Sequence, residues 1–493
     1  MTTSFRSRAR SGQRRLTQET PAEGEALIST KPSQPKSDKR SAPFGNKNPK
    51  KNVYSQTSDR PVAHTTAAQT RTETPTNTPQ LGRDDRPMNL TGEKTRAPQS
   101  MPAANVADLK SDQFTLFASC PRGLEGVLAE ELTALSMQQV EKIQGGGGVR
   151  FVGGLNDVMR ANLHSRVASR ILLQVAEGEY RTEDDIYRMA RQVKWEDWFT
   201  PSKTIRMKVD AMTQRVKSTE FIALRIKDAV CDYFRHIDQI RPSVDKHFPD
   251  IRVHAFVGEY AVNIYLDTSG EALFKRGWRG QTGEAPLREN LAAGILLLSG
   301  YNGEQSLFDP MCGSGSILIE GAMIALNIAP GLQRSFGFEK FNAFDAAAWQ
   351  GHKTAAKQAE YDYLAKPIRG SDHLGHLIEV ANVNALKAGI DDAVEWGIAD
   401  ALTTKAFDDT GMLVSNPPYG VRLEEVATLA ALYPQMGTWL KREFAGWSVH
   451  LLTSDQGIQR GLRLREKRKD KLFNGALPCH LYHFEMVAGS NRD

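Results

Sequence analysis

The sequence predicts a doubly wound α/β domain in its second half, preceded by an α+β half and a disordered leader. Three observations carry that prediction. Leu307 to Met323 reads LFDPMCGSGSILIEGAM: a short apolar run, a glycine turn, then a stretch from Ile317 to Leu326 apolar almost all round, as a helix buried against a sheet requires. Beyond it, short strands alternate with helical patterns and lead to Asp372, Asp400 and Asn416. From Phe114 to Leu266, strands and helices mix without βαβ alternation.

A chain of 493 residues is too long for one ordinary domain. The expected division is a leader over 1–112, an α+β region over 113–270 and the α/β domain over 271–493. No apolar run approaches the ~18 to 20 residues of a membrane span, and the basic N-terminus lacks the apolar core of a secretory signal. Cys120, Cys231, Cys312 and Cys479 are far apart without a CxxC pair, which argues against structural zinc and for free thiols in a reducing, cytoplasmic setting. The net charge of +5 hides an asymmetry. Residues 1–110 hold 19 Lys/Arg against 10 Asp/Glu, and the remainder 44 against 48. The body is therefore no uniformly basic nucleic-acid binder, and any such contact must come from local patches.

The leader is rich in Ser, Thr, Pro, Gln, Arg and Lys and cannot bury enough apolar surface to offset its ordering entropy. Order is expected from Phe114: FTLFAS as a strand, Leu124 to Leu135 as a helix, Gly145 to Gly148 as a turn into Val149–Val152. Ile171–Val175, Asp185–Val193 and Thr204–Val209 read as strand, helix and strand. Ser218 to His236 reads as a long helix with Phe221, Ile222, Ile226, Val230 and Phe234 inward, and Ile251–Val257 and Ala261–Leu266 as a hairpin. Arg225 and Lys227 fall on the helix's exposed side, and the segment Lys275–Arg279 (KRGWR) is placed as a hinge before a helix from Leu287 to Leu298. Residues 327–366 read as a polar, aromatic-spotted insertion, and Arg460 to Lys471, with seven basic and two acidic residues, as too polar to be core.

The glycine loop lacks the P-loop Lys-Ser/Thr pair and the G-x-G-x-x-G spacing, so it predicts a nucleotide-like ligand that need not present a phosphate. A packed strand-to-helix corner is the plainer alternative. Asp372, ending the next strand, is placed to accept from ribose hydroxyls, and Asp400, after the third, from an adenine amino group. The sharpest signal is Asn416-Pro417-Pro418-Tyr419. Two prolines after a strand forbid further pairing and fix the backbone. The Asn416 side chain and the Pro417 carbonyl then offer two acceptors for the hydrogens of one amino group, and Tyr419 a face for stacking. Holding those hydrogens out of plane frees a lone pair otherwise conjugated into a base, which suits direct displacement at an activated methyl group.

These residues resemble a known family, the class I S-adenosylmethionine-dependent methyltransferases: DPMCGSG is similar to their first motif and NPPYG to the amino-methylating fourth. Phe114 to Asp267 resembles a ferredoxin-like plus THUMP RNA-binding arrangement, giving a Rossmann-like catalytic domain behind it. FASCPRGLE, SRVASRILL, RIKDAV, PDIRV, FKRGWR, DPMCGSGSILIE, APGL, NALKAGI, SNPPYG and FAGWS fall in the order of the RlmL-type 23S rRNA guanine-N2 methyltransferases. The resemblance implies S-adenosylmethionine as cofactor, with Asp309, Pro310, Cys312, Gly313 and Gly315 beside its methionine part, Asp372 on its ribose and Asp400 on its adenine. Asn416, Pro417, Pro418 and Tyr419 would take a flipped guanine, and Arg225, Lys227, Arg276 and Arg279 would contact RNA. The implied partner is 23S rRNA or a large-subunit assembly intermediate, met by a monomer without metal or membrane.

Two departures stand out. His373-Leu374 follows Asp372 where the family carries a second acid, so ribose binding rests on Asp372 alone. Some members also fuse a second methyltransferase at the C-terminus, and with Asp493 last here that 7-methylguanine activity is expected to be absent. Two rivals are a DNA adenine-N6 methyltransferase, whose target amino group the NPPY motif also serves, and a non-catalytic RNA-binding ribosome-assembly factor.

Overall fold

A computed structural model of the chain describes residues 104–108, 111–143, 146–213, 215–280, 287–418 and 423–487. The leader expected to be disordered lies outside these up to residue 103. Inside the stretch read as leader, β1 (Asn105–Val106) pairs antiparallel with a later strand at Glu177 and Ala176, so pairing begins before Phe114.

The first half runs β2 (Phe114–Ser119), α1 (Glu125–Ala134), β3 (Gln138–Lys142), β4 (Gly148–Gly153), α2 (Leu155–His164), β5 (Arg170–Glu179), α3 (Glu183–Gln192), α4 (Trp195–Trp198), β6 (Ile205–Ala211), α5 (Thr219–Asp238), β7 (Ile251–Val257) and β8 (Ala261–Asp267). Its sheet has the order β3-β4-β2-β5-β8-β7-β6, with only the β6–β7 pair parallel along that path. In β2 the alternation of buried Phe114, Leu116 and Ala118 with partly exposed residues is the period of two that a one-sided sheet imposes. Helix α5 starts where the Ser218 hydroxyl accepts from the Phe221 amide, a side-chain N-cap. It buries Ile222, Ile226, Val230 and Phe234 as predicted; Phe221, expected inward, is 50% exposed because the first turn of α5 leaves it off the buried stripe.

The second half continues with α6 (Glu289–Leu298), β9 (Ser306–Asp309), α7 (Ser316–Ala325), α8 (Ala346–Gln358), β10 (Ile368–Asp372), α9 (Gly375–Ala388), β11 (Glu395–Ile398), β12 (Gly411–Ser415), α10 (Leu423–Glu443), β13 (Ser448–Thr453), α11 (Ile458–Leu462), β14 (Arg468–Asn474) and β15 (Leu477–Glu485). The sheet order is β11-β10-β9-β12-β13-β15-β14, parallel from β11 to β13 and antiparallel about β15. The order reverses between β9 and β12, and the carboxyl ends of the parallel strands there form the crevice where such sheets hold ligands. Thr453 lies opposite His480 and Asn474 opposite Leu477, so the β14–β15 turn projects at this same edge. The insertion packs Phe336, Phe338 and Trp349 as an aromatic cluster that α8 closes. The segment read as too polar for core supplies edge strand β14, whose Leu472 is fully buried.

One hydrophobic cluster runs through both halves, and buried polar groups seal the joint. Arg166 donates to the carbonyls of Met323 (3.1 Å) and Ile328 (2.8 Å), and Asn290 to the Val167 carbonyl and the Ser169 hydroxyl. Arg276 donates to the Arg166 carbonyl (2.5 Å) and pairs with Glu320 at 3.2 Å, both side chains buried.

Candidate cofactor and amino-group site

The glycine loop owes its shape to two residues outside the L-residue norm: Gly313 at φ +54° and Gly315 at φ +82°. A Cβ on Gly315 would lie 2.7 Å from the Trp396 ring, whereas one on Gly313 would meet nothing within 4 Å. The first glycine therefore opens space above the loop and the second admits Trp396 beneath it. Asn384, fully buried on α9, donates to the Ser314 carbonyl (3.1 Å) and accepts from the Gly280 amide (3.0 Å), tying the loop to the segment that leads into α6.

Three of the predicted acidic and amide residues meet at the switch point. Asp309 ends β9 and is 2% exposed; its Oδ1 accepts from the Ser415 hydroxyl (2.6 Å), the last residue of β12, and from the Met311 amide (3.1 Å). Burial pushes its carboxyl up to about 7, with the Asp372 charge adding to the rise and those hydrogen bonds opposing it. Asp372 ends β10 and accepts from the Gly313 amide (3.0 Å) and the Leu374 amide (3.0 Å), leaving each oxygen a further lone pair. Directly after it, the exposed His373 stands with Nδ1 3.4 Å from the Asp372 carboxylate. Asp400 caps a short turn, accepting from the Leu402 amide (2.9 Å), and is exposed beyond β11. Pro310 and Cys312 are buried in the loop, and burial raises the Cys312 thiol well above its ordinary value, so it stays protonated.

Asn416 follows Ser415 directly, half-buried, with Pro417 buried and Pro418 exposed. Tyr419 lies outside the described residues. Since Ser415 is held to Asp309, the residue presenting the amide acceptor is anchored to the strand carrying the glycine loop.

Leu374 and Ile398 escaped the sequence reading. They are 40% and 68% exposed at the ends of β10 and β11, flanking Asp372 and Asp400. Ile398 Cδ1 lies 3.1 Å from the Cβ position at Gly375, so the two strand ends share one apolar shelf. An open glycine loop, two carboxylates and an apolar shelf fit an adenosine-bearing cation. Among the described residues no group of three or more His, Cys, Asp or Glu is placed to hold a metal, and no helix is long and apolar enough to cross a membrane.

The four cations expected on RNA divide. Arg225 pairs with Asp184 at 2.5 Å and lies over the Tyr187 ring, both of α3, and Lys227 pairs with Asp228 at 2.7 Å; both cations are half-buried. Arg276 corrects the expectation: it is 2% exposed and spent on the joint. Arg279 also turns inward, donating to Glu289 (2.7 Å), the Leu287 carbonyl and the Ser316 hydroxyl (both 2.9 Å), so it braces the first turn of α7.

A family model described as RMKL-like, methyltransferase domain, matches residues 276–483; a THUMP domain model matches 180–267 and an RlmL ferredoxin-like domain model 115–172. The ribosomal RNA large subunit methyltransferase K/L of Shewanella baltica is 40% identical over 384 residues, which cover 77% of this chain and 54% of that one. The chain thus spans about half the length of such relatives. A possible methylase from Clostridium difficile 630 superposes with a TM-score of 0.71 and 30% identity, covering 77% of this chain and 100% of that one. A putative methyltransferase solved with SAH gives a TM-score of 0.71 at 29% identity with the same coverage.

Proposed function

This chain belongs to the THUMP-containing, RlmL-like methyltransferases, and from that we propose that it moves a methyl group from S-adenosylmethionine to N2 of a guanine in 23S ribosomal RNA. The observation that carries the reading is the Ser415–Asp309 bond. It ties the residue before Asn416-Pro417, the pair read as acceptors for the amino group, to the last residue of β9 at the strand-order switch point, which supports that reading. The relative solved with SAH supports the choice of donor, and the ribosomal name of the Shewanella protein the choice of substrate.

When bound, S-adenosylmethionine supplies a methyl group already activated on a sulfonium. The chain's own groups do the rest. Asp309 and the open side of Gly313 would face the charged methionine portion, Asp372 the ribose diol, and Leu374 and Ile398 the adenine faces. The Asn416 side-chain oxygen and the Pro417 carbonyl would accept the two N2 hydrogens of a flipped guanine, turning the nitrogen lone pair toward the methyl. The proton shed after transfer leaves to water. The substrate in this reading is 23S rRNA, free or within an assembling large subunit, met in the cytoplasm by a monomer.

Labelled S-adenosylmethionine and large-subunit RNA from cells lacking the gene test it, followed by digestion to nucleosides. Label in N2-methylguanosine is expected. Label in N6-methyladenosine would keep the chemistry and overturn the target, and no label on RNA would overturn both.

A further inference from the structure

At the seam between the ferredoxin-like loop and the methyltransferase sheet lies a cavity of about 180 Å³, lined by Cys120, Arg122, Ser169, Arg288, Phe473 and Gly475 among others. We propose that this seam is a second RNA contact, holding a phosphodiester of the single strand that flanks the methylated nucleotide. The proposal rests on the RNA reading above and adds a place on the protein where that RNA is gripped.

Four observations point there. First, the charge is unneutralised. Arg122 and Arg288 are exposed, and among the described residues no acidic side chain lines the cavity and neither arginine makes an ion pair. Lys469 and Lys471, on the outward side of β14, are equally without one. Glu125, whose field reaches Cys120, spends its two oxygens on the amides of Gly123 and Gly147. Burial also raises the Cys120 thiol, so it adds no negative charge.

Second, the cations are preset by aromatic rings. Arg122 lies over Phe473 at 4.4 Å with Lys471 at 5.7 Å from the same ring, and Arg288 lies over Phe274 at 4.9 Å. Such stacking fixes a guanidinium fork without consuming its N–H donors, which remain available to phosphate oxygens.

Third, the size selects the ligand. Drug-sized ligands occupy pockets of about 300–1,000 Å³, so this cavity takes a phosphate and part of a ribose with the chain continuing outside.

Fourth, the place is right. The β14–β15 turn and the start of α6 both lie at the carboxyl edge that holds Asn416. β14 is three strand spacings from β12, about 14 Å, within reach of a few nucleotides. The grip is also built by two domains at once, since Gly123 packs against Lys471 and Leu472 so closely that no side chain fits there.

The test uses the full chain with Arg122→Gln and Arg288→Gln together, beside the charge-keeping pair Arg122→Lys and Arg288→Lys. Binding to fluorescently labelled, protein-free large-subunit RNA is titrated across salt, and S-adenosylmethionine binding is measured separately. The glutamine pair is expected to weaken RNA binding about tenfold and to lower the salt slope by roughly 0.7, the share of one single-strand phosphate. Methylation should show a raised KM for RNA at unchanged kcat, cofactor binding should stay intact, and the lysine pair should keep most of the affinity. An unchanged salt slope in the glutamine pair overturns the seam while leaving the RNA reading standing. Equal competition by poly-L-glutamate at matched charge assigns the surface to acidic chains generally and overturns it as an RNA site. Wild-type protein that binds no RNA removes both readings together.

Discussion

The hydroxyl of Ser415 donates to Asp309 Oδ1 at 2.6 Å, across the two strands between which the sheet order reverses. That bond joins a carboxyl raised to about 7 to the strand that presents Asn416. In the ligand-free protein Asp309 is therefore protonated over a window where an unfolded carboxyl is ionised. The native state binds the extra proton, so this group's contribution is full at low pH and is lost as pH rises from its ordinary range through about 7.

A cationic donor bound beside Asp309 favours the carboxylate and expels that proton. S-adenosylmethionine affinity is expected to increase as pH rises toward about 7 and then level off. Calorimetry in buffers of different ionisation enthalpy should record proton release below that pH, and none in Asp309→Asn. Ser415→Ala, which removes a bond to the carboxylate, should move the break to higher pH. An affinity flat across the range would refute the assignment.

Asn416→Ala should lower kcat by roughly 10² to 10³, the usual cost of one positioned polar group at a reaction centre, while S-adenosylmethionine still binds. Asn416→Asp keeps acceptor oxygens and should retain more turnover than Ala. Single-turnover methylation with cofactor titrations reads both, and normal turnover in the Ala variant would remove the amino-group role.

The two left-handed glycines should fail differently. Gly315→Ala meets the rigid Trp396 ring as well as a strained φ, so a stability loss of about 2 kcal/mol or more is expected. Gly313→Ala meets open space and should cost only about 1–2 kcal/mol of backbone strain, with its larger effect on cofactor affinity. Thermal melts and cofactor titrations on the pair separate packing from ligand contact.

Arg276→Met strands the buried Glu320 carboxylate, which should cost about 3–5 kcal/mol of stability. Adding Glu320→Leu should recover much of that loss. RNA affinity of the folded fraction should not move, which is how a joint residue differs from an RNA contact.

That last residue shows where sequence runs out. Arg276 sits in KRGWR, locally indistinguishable from an exposed basic run, and only Glu320, 44 positions on, reveals it as interior. Strands β9 and β12 were legible because burial on both faces selects apolar residues along them, and Asp309 because it ends such a run; β10 (IRGSD) has one aliphatic residue, and Asp372 was read from its place between the insertion and the next helix. β3 was not, since QQVEK is an exposed edge strand whose pairing comes from β4 and not from its own pattern. β14 hid for a related reason: Lys469 and Lys471 face outward from the sheet edge and mask Leu472 behind them. Leu374 and Ile398 carried no local signal, because an exposed apolar residue acquires meaning only when a second strand end brings another beside it.

The sealed joint has a consequence for how a target is chosen. With Arg166 bonded across to Met323 and Ile328, and Arg276 held between Arg166 and Glu320, the half that matches the THUMP model and the half that carries Asn416 are joined through buried polar bonds. On the proposed function such a molecule would work as a caliper, selecting a nucleotide by its length along the RNA from a fixed grip, and lengthening the RNA between grip and target is then expected to shift methylation to a different base.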